Sequence, residues 1–564
     1  MRRARRASAI ALGSLLIVMI QVSPVRATPG CSPLTATDDS YYSNEPSVSA
    51  DASSIAFRSS ADLVGDNPDH NEEIFLYDKA DASLVQVTTT TQPLHYNTPS
   101  ISADGTRIVF RSADDIGGGN PDRNSEIFLY DATGPTVTQL TDTTGGAGDA
   151  DDDGIEDGES ANREPALSGD GTRVAFTSDR NHDGSNSEGN DEVFLWDESG
   201  PSITHITATV SRENTQPSIS AAGDRVSFVS NGRFGGGNAD RNYEVFLWDE
   251  DGPTIAQASD TSTGFNQEPS LAGDGTLMSY WYASPRPQGR FGSEIYLYDA
   301  VSRSSTRLTP HGTQNGGGSF GVTTWNSSIS ADGSTIAFIS IEDLVPGQNT
   351  FGNTQVFTYD IAQQTMVQRS DTSGGGGFPN SSDPSISADG SQVAFSSSSN
   401  IGGSNANNNG EIFLSVDGGV CDSPGRPDGR IKRGRAGAYV GDDVYNGTGA
   451  GQTATGAASA SGVVSYYVSF QNDDTEPDQF RLRGGSSSDR FAIRYFVGGE
   501  NVTGQVTDGT YLSPSLASGE TVLVRVQVTV KTTAPRDATF TRRLTATSVT
   551  DSSGDTVKSV TSRL

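Results

Sequence analysis

A short stretch, Glu126-Ile127-Phe128-Leu129-Tyr130-Asp131 in its second copy, recurs seven times along this 564-residue chain. The copies begin at Glu73, Glu126, Glu192, Glu244, Glu294, Gln355 and Glu411, and read EIFLYD, EIFLYD, EVFLWD, EVFLWD, EIYLYD, QVFTYD and EIFLSVD. A partner motif precedes each one. In the second copy it runs Pro99-Ser100-Ile101-Ser102-Ala103-Asp104-Gly105, then Thr106-Arg107-Ile108-Val109-Phe110. Self-similarity of this kind, two motifs in fixed order repeated along the chain, is the mark of a repeat architecture. Within the second repeat, Thr98 to Ser102, Thr106 to Ser112, Glu126 to Asp131 and Thr136 to Thr141 are four candidate strands. Ala103-Asp104-Gly105 and Gly134-Pro135 supply turn chemistry. Apolar triplets such as Ile108-Val109-Phe110 suit strands covered on both faces. Four short strands per repeat, seven times over and without helical periodicity, predict a seven-bladed β-propeller. An open β-solenoid or two smaller sandwiches are the alternatives.

The Pro-Ser-x-Ser-x-Asp-Gly, Ile-Ala-Phe and Ile-Phe-Leu-Tyr-Asp elements resemble the TolB-type, WD-repeat-like propeller repeat of bacterial exported proteins. The resemblance covers roughly residues 30–420. The family commonly has Pro before Asp-Gly, where this chain has Ala103, Ala331 and Ala388. The fourth copy reads Ala-Gly-Asp at 222–224, and the first lacks the Gly after Asp51. The best-known member is usually six-bladed and carries an N-terminal helical domain, which has no counterpart here. A role in the Tol system is therefore not implied.

Residues 1–27 have the form of a secretory signal: Arg2, Arg3, Arg5 and Arg6, an apolar run from Ala9 to Ile20, then Val25-Arg26-Ala27 as a small-x-small cleavage site. The paired arginines also fit the twin-arginine route. The apolar run is too short to span a bilayer, and no later stretch qualifies. The expected mature chain begins at Thr28 and is secreted, periplasmic or held at the cell surface. Without the five leader arginines, 33 basic residues face 70 acidic ones. So acidic a chain excludes nucleic-acid binding through phosphates. It suits cations or basic partners, or simply solubility.

The seventh repeat ends after its third strand, near Asp417. Residues 32–38, with Pro33-Leu34-Thr35-Ala36-Thr37-Asp38, resemble the end of a fourth strand and are expected to close the ring as the outer strand of the last blade. Cys31 and Cys421, the two cysteines of the chain, flank this junction. In an exported protein they are expected to pair; two free thiols are the alternative.

In each blade the strand 2–3 loop and the connection to the next blade emerge on one face. An alternating ladder of oxygen donors occupies several of these loops: Asn67-Asp69-Asn71-Glu73, Asn120-Asp122-Asn124-Glu126, Asn238-Asp240-Asn242-Glu244, and the less acidic Asn405-Asn407-Asn409-Glu411. Such a ladder either converges on a hard cation or bonds the loop's own backbone. The third repeat carries an insertion, 145–160, with Asp149, Asp151, Asp153, Gly154, Glu156, Asp157 and Glu159. Its first half matches the D-x-D-x-D-G calcium loop, but Ser160 stands where a bidentate Glu belongs. Asp179, Asn181 and Asp183 form a similar run in the same blade. Calcium is the expected cofactor of these residues, a solvated acidic loop the alternative.

Catalytic signals are sparse. His70, His95, His182, His205 and His311 show no metal-ligand spacing. Gly317-Gly318-Ser319-Phe320-Gly321 matches G-x-S-x-G without the following helix that the motif needs. Asp and Glu are too common to single out a pair for sugar hydrolysis. Some propellers with related repeats are polysaccharide lyases that use a metal and histidines.

Residues 422–435, rich in Arg, Lys, Pro and Gly, read as a basic linker. From 436 to 564 the chain alternates in β fashion: Val463 to Phe470, Phe491 to Val497, Thr521 to Val530 and Phe540 to Val549. Val522, Val524, Val526, Val528 and Val530 share one face. About seven strands predict an immunoglobulin-like β-sandwich, which Gly441-Asp442-Asp443-Val444-Tyr445-Asn446 would open. The fold class expected is all-β throughout. The expected role is a non-enzymatic, monomeric binding or scaffold protein that offers an acidic, calcium-ordered propeller face to a protein or glycan. A carbohydrate-active enzyme working at that face or in the central channel is the alternative.

Overall fold

A computed structural model of the chain describes residues 20–21, 30–37, 41–90, 98–144, 162–200, 202–286, 290–310, 323–346, 349, 353–372, 381–399, 401, 405, 408–416, 419–422, 427–441, 449, 451–473, 477–549 and 554–564. It is nearly all β. Each repeat forms one antiparallel sheet, and seven such sheets follow one another among the described residues. Sheet 2 is typical, with strands Ser100–Ile101, Arg107–Ser112, Glu126–Asp131 and Thr136–Gln139 side by side in chain order. Sheet 1 runs from Ser43–Val48 to Ser83–Gln86, and Ile20–Gln21, from the expected leader, adds a fifth strand against Leu84 and Ser83. Sheet 3 spans Asn162–Leu167 to Ser202–His205, and sheet 4 Asn214–Ile219 to Thr254–Gln257. Sheet 5 spans Phe265–Leu271 to Ser304–Arg307, and sheet 6 Thr324–Ile329 to Thr365–Gln368. In sheet 5 the two middle strands extend to Arg286 and Arg290, replacing the usual loop.

Sheet 7 closes as the sequence predicts. Its strands Ser381–Ile386, Gln392–Ser397 and Glu411–Val416 are completed by Cys31–Pro33 from the N-terminal end. The strand starts one residue earlier than expected, and its bonding continues through Leu34 N–H to Ile412 O. Cys31 and Cys421 form a disulfide, with Cα atoms 5.2 Å apart.

The apolar triplets explain how the sheets stack. Ile108 and Phe110 pack with Ala56 and Ile74 of sheet 1, while Val109 packs with Val174 and Phe176 of sheet 3. One strand thus serves two interfaces. The same alternation runs on to a shared core of sheets 6 and 7 and another of sheets 7 and 1. Backbone bonds give the same cycle: Ala50 N–H to Ala103 O, Ala103 to Gly169, Asp170 to Ala221, Ala221 to Gly273, Gly273 to Ala331, Asp332 to Ala388, and Ala388 back to Ala50 O. The first strands of neighbouring sheets touch one another, so they lie innermost, as in a propeller.

The Pro-Ser-x-Ser-x-Asp-Gly motif belongs to this cycle. Its first Ser accepts a backbone N–H from the next sheet: Ser47 from Ile101, Ser100 from Leu167, Ser218 from Leu271, Ser270 from Ile329, and Ser385 from Val48. Gly105 sits at φ +73°, and a Cβ there would lie 2.5 Å from Ser54 Oγ of the preceding sheet. Both the turn and the close approach favour glycine here. The irregular copies keep this geometry: Gly223 takes the left-handed place in Ala-Gly-Asp, and Ala52 adopts φ +51° in the first copy.

The C-terminal part is a two-layer sandwich. One sheet orders Pro427–Arg433, Val463–Asn472, Thr521–Val530, Phe491–Val497 and Glu500–Asn501. The other orders Thr453–Ala458, Gly554–Arg563, Thr539–Ser548, Phe480–Gly484 and Tyr511–Leu512. Val522, Val524, Val526, Val528 and Val530 are all buried in the shared core, as their alternation predicts. The expected linker needs correction at 427–433, which is an edge strand in register with Tyr466–Asn472. Its Ile431 side chain is buried in the core, so the basic residues flank an apolar anchor. A six-residue helix, Thr503–Asp508, was not foreseen. No helix among the described residues is long and apolar enough to cross a membrane.

Candidate functional site

The repeat glutamates point inward. Glu126 accepts the hydroxyl of Thr141, the N–H and hydroxyl of Thr143 at 2.7 and 2.6 Å, and Nδ2 of Asn162 in sheet 3 at 2.9 Å. Glu192 and Glu244 bind Asn214 and Asn266 of the following sheets in the same way. Glu411 receives Thr35 and Thr37 of the closing segment. Burial holds the carboxyls of Glu73, Glu126, Glu244 and Glu411 above the usual range, against the pull of these donors. Each glutamate is thus a clamp between strands.

The ladder residues divide by direction. Asn67, Asn120 and Asn238 are buried, and each donates Nδ2 to the backbone carbonyl four residues on, at Asn71, Asn124 and Asn242. Asn124 and Asn242 in turn donate to Thr143 and Thr261. Asp69, Asp122 and Asp240 are exposed. The alternating oxygens therefore face opposite ways. Asn405 and Asn409 repeat the pattern in sheet 7, and Asn407 lies outside the described residues.

Asp149, Asp151, Asp153, Asp157 and Glu159 lie outside the described residues, as do His95, His311 and the segment 317–321. Asp179 pairs with Arg180, Asn181 Oδ1 accepts the N–H of Asn186, and Asp183 accepts both donors of Ser185. No three acidic, histidine or cysteine side chains form a metal-binding group among the described residues. His182 bonds Asn162 and Ser178, and burial lowers its pKa to about 4. His205 stacks on Phe194.

A different set of residues gathers at the axis. In six of the seven innermost strands the pairing slips by a bulge, and its central residue takes a left-handed φ of 50–55°: Glu45, Glu164, Gln216, Glu268, Asn326 and Asp383. A bulge re-aims the side chain it carries. Here it builds a chain around the centre. Glu164 accepts the N–H of Gln216 at 2.7 Å, Gln216 that of Glu268 at 2.9 Å, and Glu268 that of Asn326 at 3.1 Å. Asn326 then donates Nδ2 to Asp383 at 3.2 Å. Burial raises the pKa of Glu45 and Glu268, and the field of Asp383 pushes both in the same direction.

The fifth residue of the adjacent strand matches each member. Acids meet donors: Arg58 with Glu45, Thr177 with Glu164, Trp281 Nε1 with Glu268, and Ser396 with Asp383. The amides Gln216 and Asn326 stand where that residue is Val229 or Ile339. The residue before Pro46, Pro165, Pro217, Pro269 and Pro384 was not singled out from sequence. Its acidic or amide character, in step with the fifth residue of strand 2, was the signal available.

Beside this ring lies a cavity of about 620 Å³, walled by sheets 6, 7 and 1. Trp325, Tyr42, Asn44, Asn326 and Asp383 line it. Tyr42 donates to Glu72 at 2.5 Å, and burial with that bond pushes its pKa up to about 12.

No protein-family model matches the chain. No curated protein matches it either. Among solved structures, an oligogalacturonate lyase in complex with manganese is similar over 71% of this chain and 96% of its own, with 14% identity and a TM-score of 0.45. An oligogalacturonate lyase from Vibrio parahaemolyticus covers 72% of this chain and 97% of its own, at 12% identity and a TM-score of 0.45. A putative TolB from Agrobacterium tumefaciens covers 59% and 93%, at 17% identity and a TM-score of 0.33. None of these similarities assigns a role to a residue of this chain.

Proposed function

We propose that this chain is an exported, monomeric binding protein, a seven-bladed propeller with an immunoglobulin-like module, that receives a protein or glycan partner at its axial end. The observation that carries this is the polar ring, with its cavity opening beside it. A rigid site with aromatic walls and a few placed polar groups is the usual form of a ligand pocket. The disulfide supports an oxidising, extracytoplasmic setting. Calcium ordering of the insertion at Asp149, Asp151 and Asp153, with Asp157 and Glu159, belongs to the same proposal. Capture of partners from the native extracellular milieu, and a glycan array, test the binding role. A partner whose capture survives replacement of both Trp325 and Asp383 would place binding elsewhere. Calorimetric calcium titration, repeated with the three aspartates changed to Ala, tests the cation. N-terminal sequencing of the exported protein should start at Thr28.

A second role, as a carbohydrate-active enzyme, has one observation in its favour. Burial holds Glu268 above the usual carboxylate range while Asp383 and Glu164 share its field. A carboxyl raised by burial beside other carboxyls is the kind of group that glycosidic cleavage uses as its acid. Polysaccharide cleavage that disappears in Glu268→Gln would establish it.

A further inference from the structure

We infer that the cavity beside the axial ring takes the cationic end of an arginine or lysine side chain from a partner polypeptide, seated between Trp325 and Asp383. This rests on the binding role proposed above and names the chemistry of that same site.

The space exists for a reason found in the sequence. At the fifth place of strand 2, sheets 1 and 5 carry Arg58 and Trp281, which reach their ring partners and fill the gap. Sheet 7 has Ser396 there and Ser382 opposite, both short. Ile339 of sheet 6 is buried in the interface and leaves the opening unfilled. Two serines in place of long side chains therefore leave a recess, and the Trp325 side chain walls one side of it.

The charge of the recess follows from its bonds. Arg58 is the nearby cation, and it is committed: its guanidinium donates to Glu45 at 3.2 Å, Glu72 at 3.1 Å and Asn44 at 3.0 Å. Asp383 is not balanced in this way. Its donors are neutral, Asn326 at 3.2 Å and the hydroxyls of Ser382 and Ser396 at 2.8 and 3.1 Å. No Lys or Arg pairs with Asp383 among the described residues. Glu45 and Glu268 lie within its field, which, after burial, pushes the pKa of both upward. An anionic ligand would meet this field unaided, so anionic sugars are disfavoured. A guanidinium or ammonium gains from the carboxylate, and the Trp325 indole that lines the same recess suits a cation as well. The volume, about 620 Å³, exceeds what one such group needs and leaves room for the peptide that carries it.

The test uses the full mature protein and three probes by calorimetry at low and physiological salt: acetyl-Gly-Arg-Gly-amide, its citrulline counterpart and cellobiose. The arginine peptide should bind saturably, at least tenfold more tightly than the citrulline peptide, and more weakly as salt rises. Asp383→Asn should abolish that discrimination. Trp325→Leu should weaken both peptides. Asp251→Asn, an exposed carboxylate in an outer turn of sheet 4, should change nothing beyond twofold. Unchanged thermal midpoints would show that the variants are folded. Equal binding of the citrulline peptide, or discrimination that survives in Asp383→Asn, overturns the inference. Binding of cellobiose alone also overturns it while leaving the binding role intact. If no probe binds and no partner is captured by the intact protein, both fail.

Discussion

Gln355 takes, in sheet 6, the place that glutamate holds in the other sheets, and its bonds show what the charge adds. Its Oε1 accepts Ser370 at 2.8 Å and both donors of Thr372 at 3.1 Å, while Nε2 donates to Thr372 O at 3.0 Å. An amide therefore fits the clamp, but it offers one acceptor oxygen instead of two. In Glu126 the second oxygen serves Thr141 and Asn162, so it joins two sheets. Glu126→Gln should cost about 1–2 kcal/mol, because Asn162 then faces another donor. Glu126→Ala should cost more, about 3 kcal/mol, because it strands several buried donors at once. Urea unfolding of the two variants checks the order; equal losses would show that the amide recovers nothing of the clamp, and a Glu126→Gln variant as stable as the native chain would show that the charge contributes nothing. The glutamate's recurrence was visible in the sequence, but its direction was not. A Glu at the start of a strand can face loop or blade, and only the Thr-x-Thr that follows strand 4, distant along the chain but in contact with Glu126 in the fold, decides between them.

At the scale of the element, the innermost strand and its neighbour act as a matched pair. Glu164 with Thr177 and Gln216 with Val229 occupy equivalent places in sheets 3 and 4. The acid takes a hydroxyl and the amide goes without one. Thr177→Val should therefore cost about 1 kcal/mol in the native chain and close to nothing in a Glu164→Gln background. A double-mutant cycle by thermal or urea unfolding measures that coupling. A coupling of zero would mean that Thr177 packs without serving the carboxylate. Strand order and the third strands were legible from motif and periodicity, since Glu126–Asp131 forms as expected. The ring was not, because it depends on a bulge that turns one residue per sheet through a left-handed φ. Proline at the next position signals a pairing defect, but the defect's consequence appears only when neighbouring sheets are brought together. The strand at 427–433 was hidden for a similar reason. Its single apolar side chain, Ile431, sits among cations, and its partner strand begins some thirty residues later.

For the whole molecule, stability rests on closing the cycle of sheets and on how its carboxyls titrate. The Cys31–Cys421 bond spans 390 residues, and the chain-entropy account gives it roughly 6 kcal/mol. Replacing both cysteines with serine should lower the melting temperature. Hydrogen exchange should then quicken first at Cys31–Pro33 and Glu411–Val416, the pair that closes the ring. The pH dependence has two opposed parts. Asp104, Asp170, Asp332 and Asp389 sit in the turns, and bonds from the serines, threonines and backbone around them hold their pKa below the ordinary 3.8. Their stabilisation is complete above that value and is lost as pH falls through the folded values beneath it. Glu73, Glu126, Glu244 and Glu411 are raised above 4.5 by burial. Their protonated form suits the fold better than the charged one, so their contribution is complete below 4.5 and fades as pH rises through the folded values. A net charge of −32 at neutral pH adds self-repulsion that mild acid relieves. Both the glutamates and the net charge therefore favour mild acid, and the aspartates set the lower limit. The melting temperature should peak on the acid side of neutrality, above about pH 4, and drop steeply below it. A calorimetric series from pH 3 to 8 measures this. A midpoint that climbs steadily to pH 8 would mean that the buried glutamates are held as carboxylates, with their donors outweighing burial.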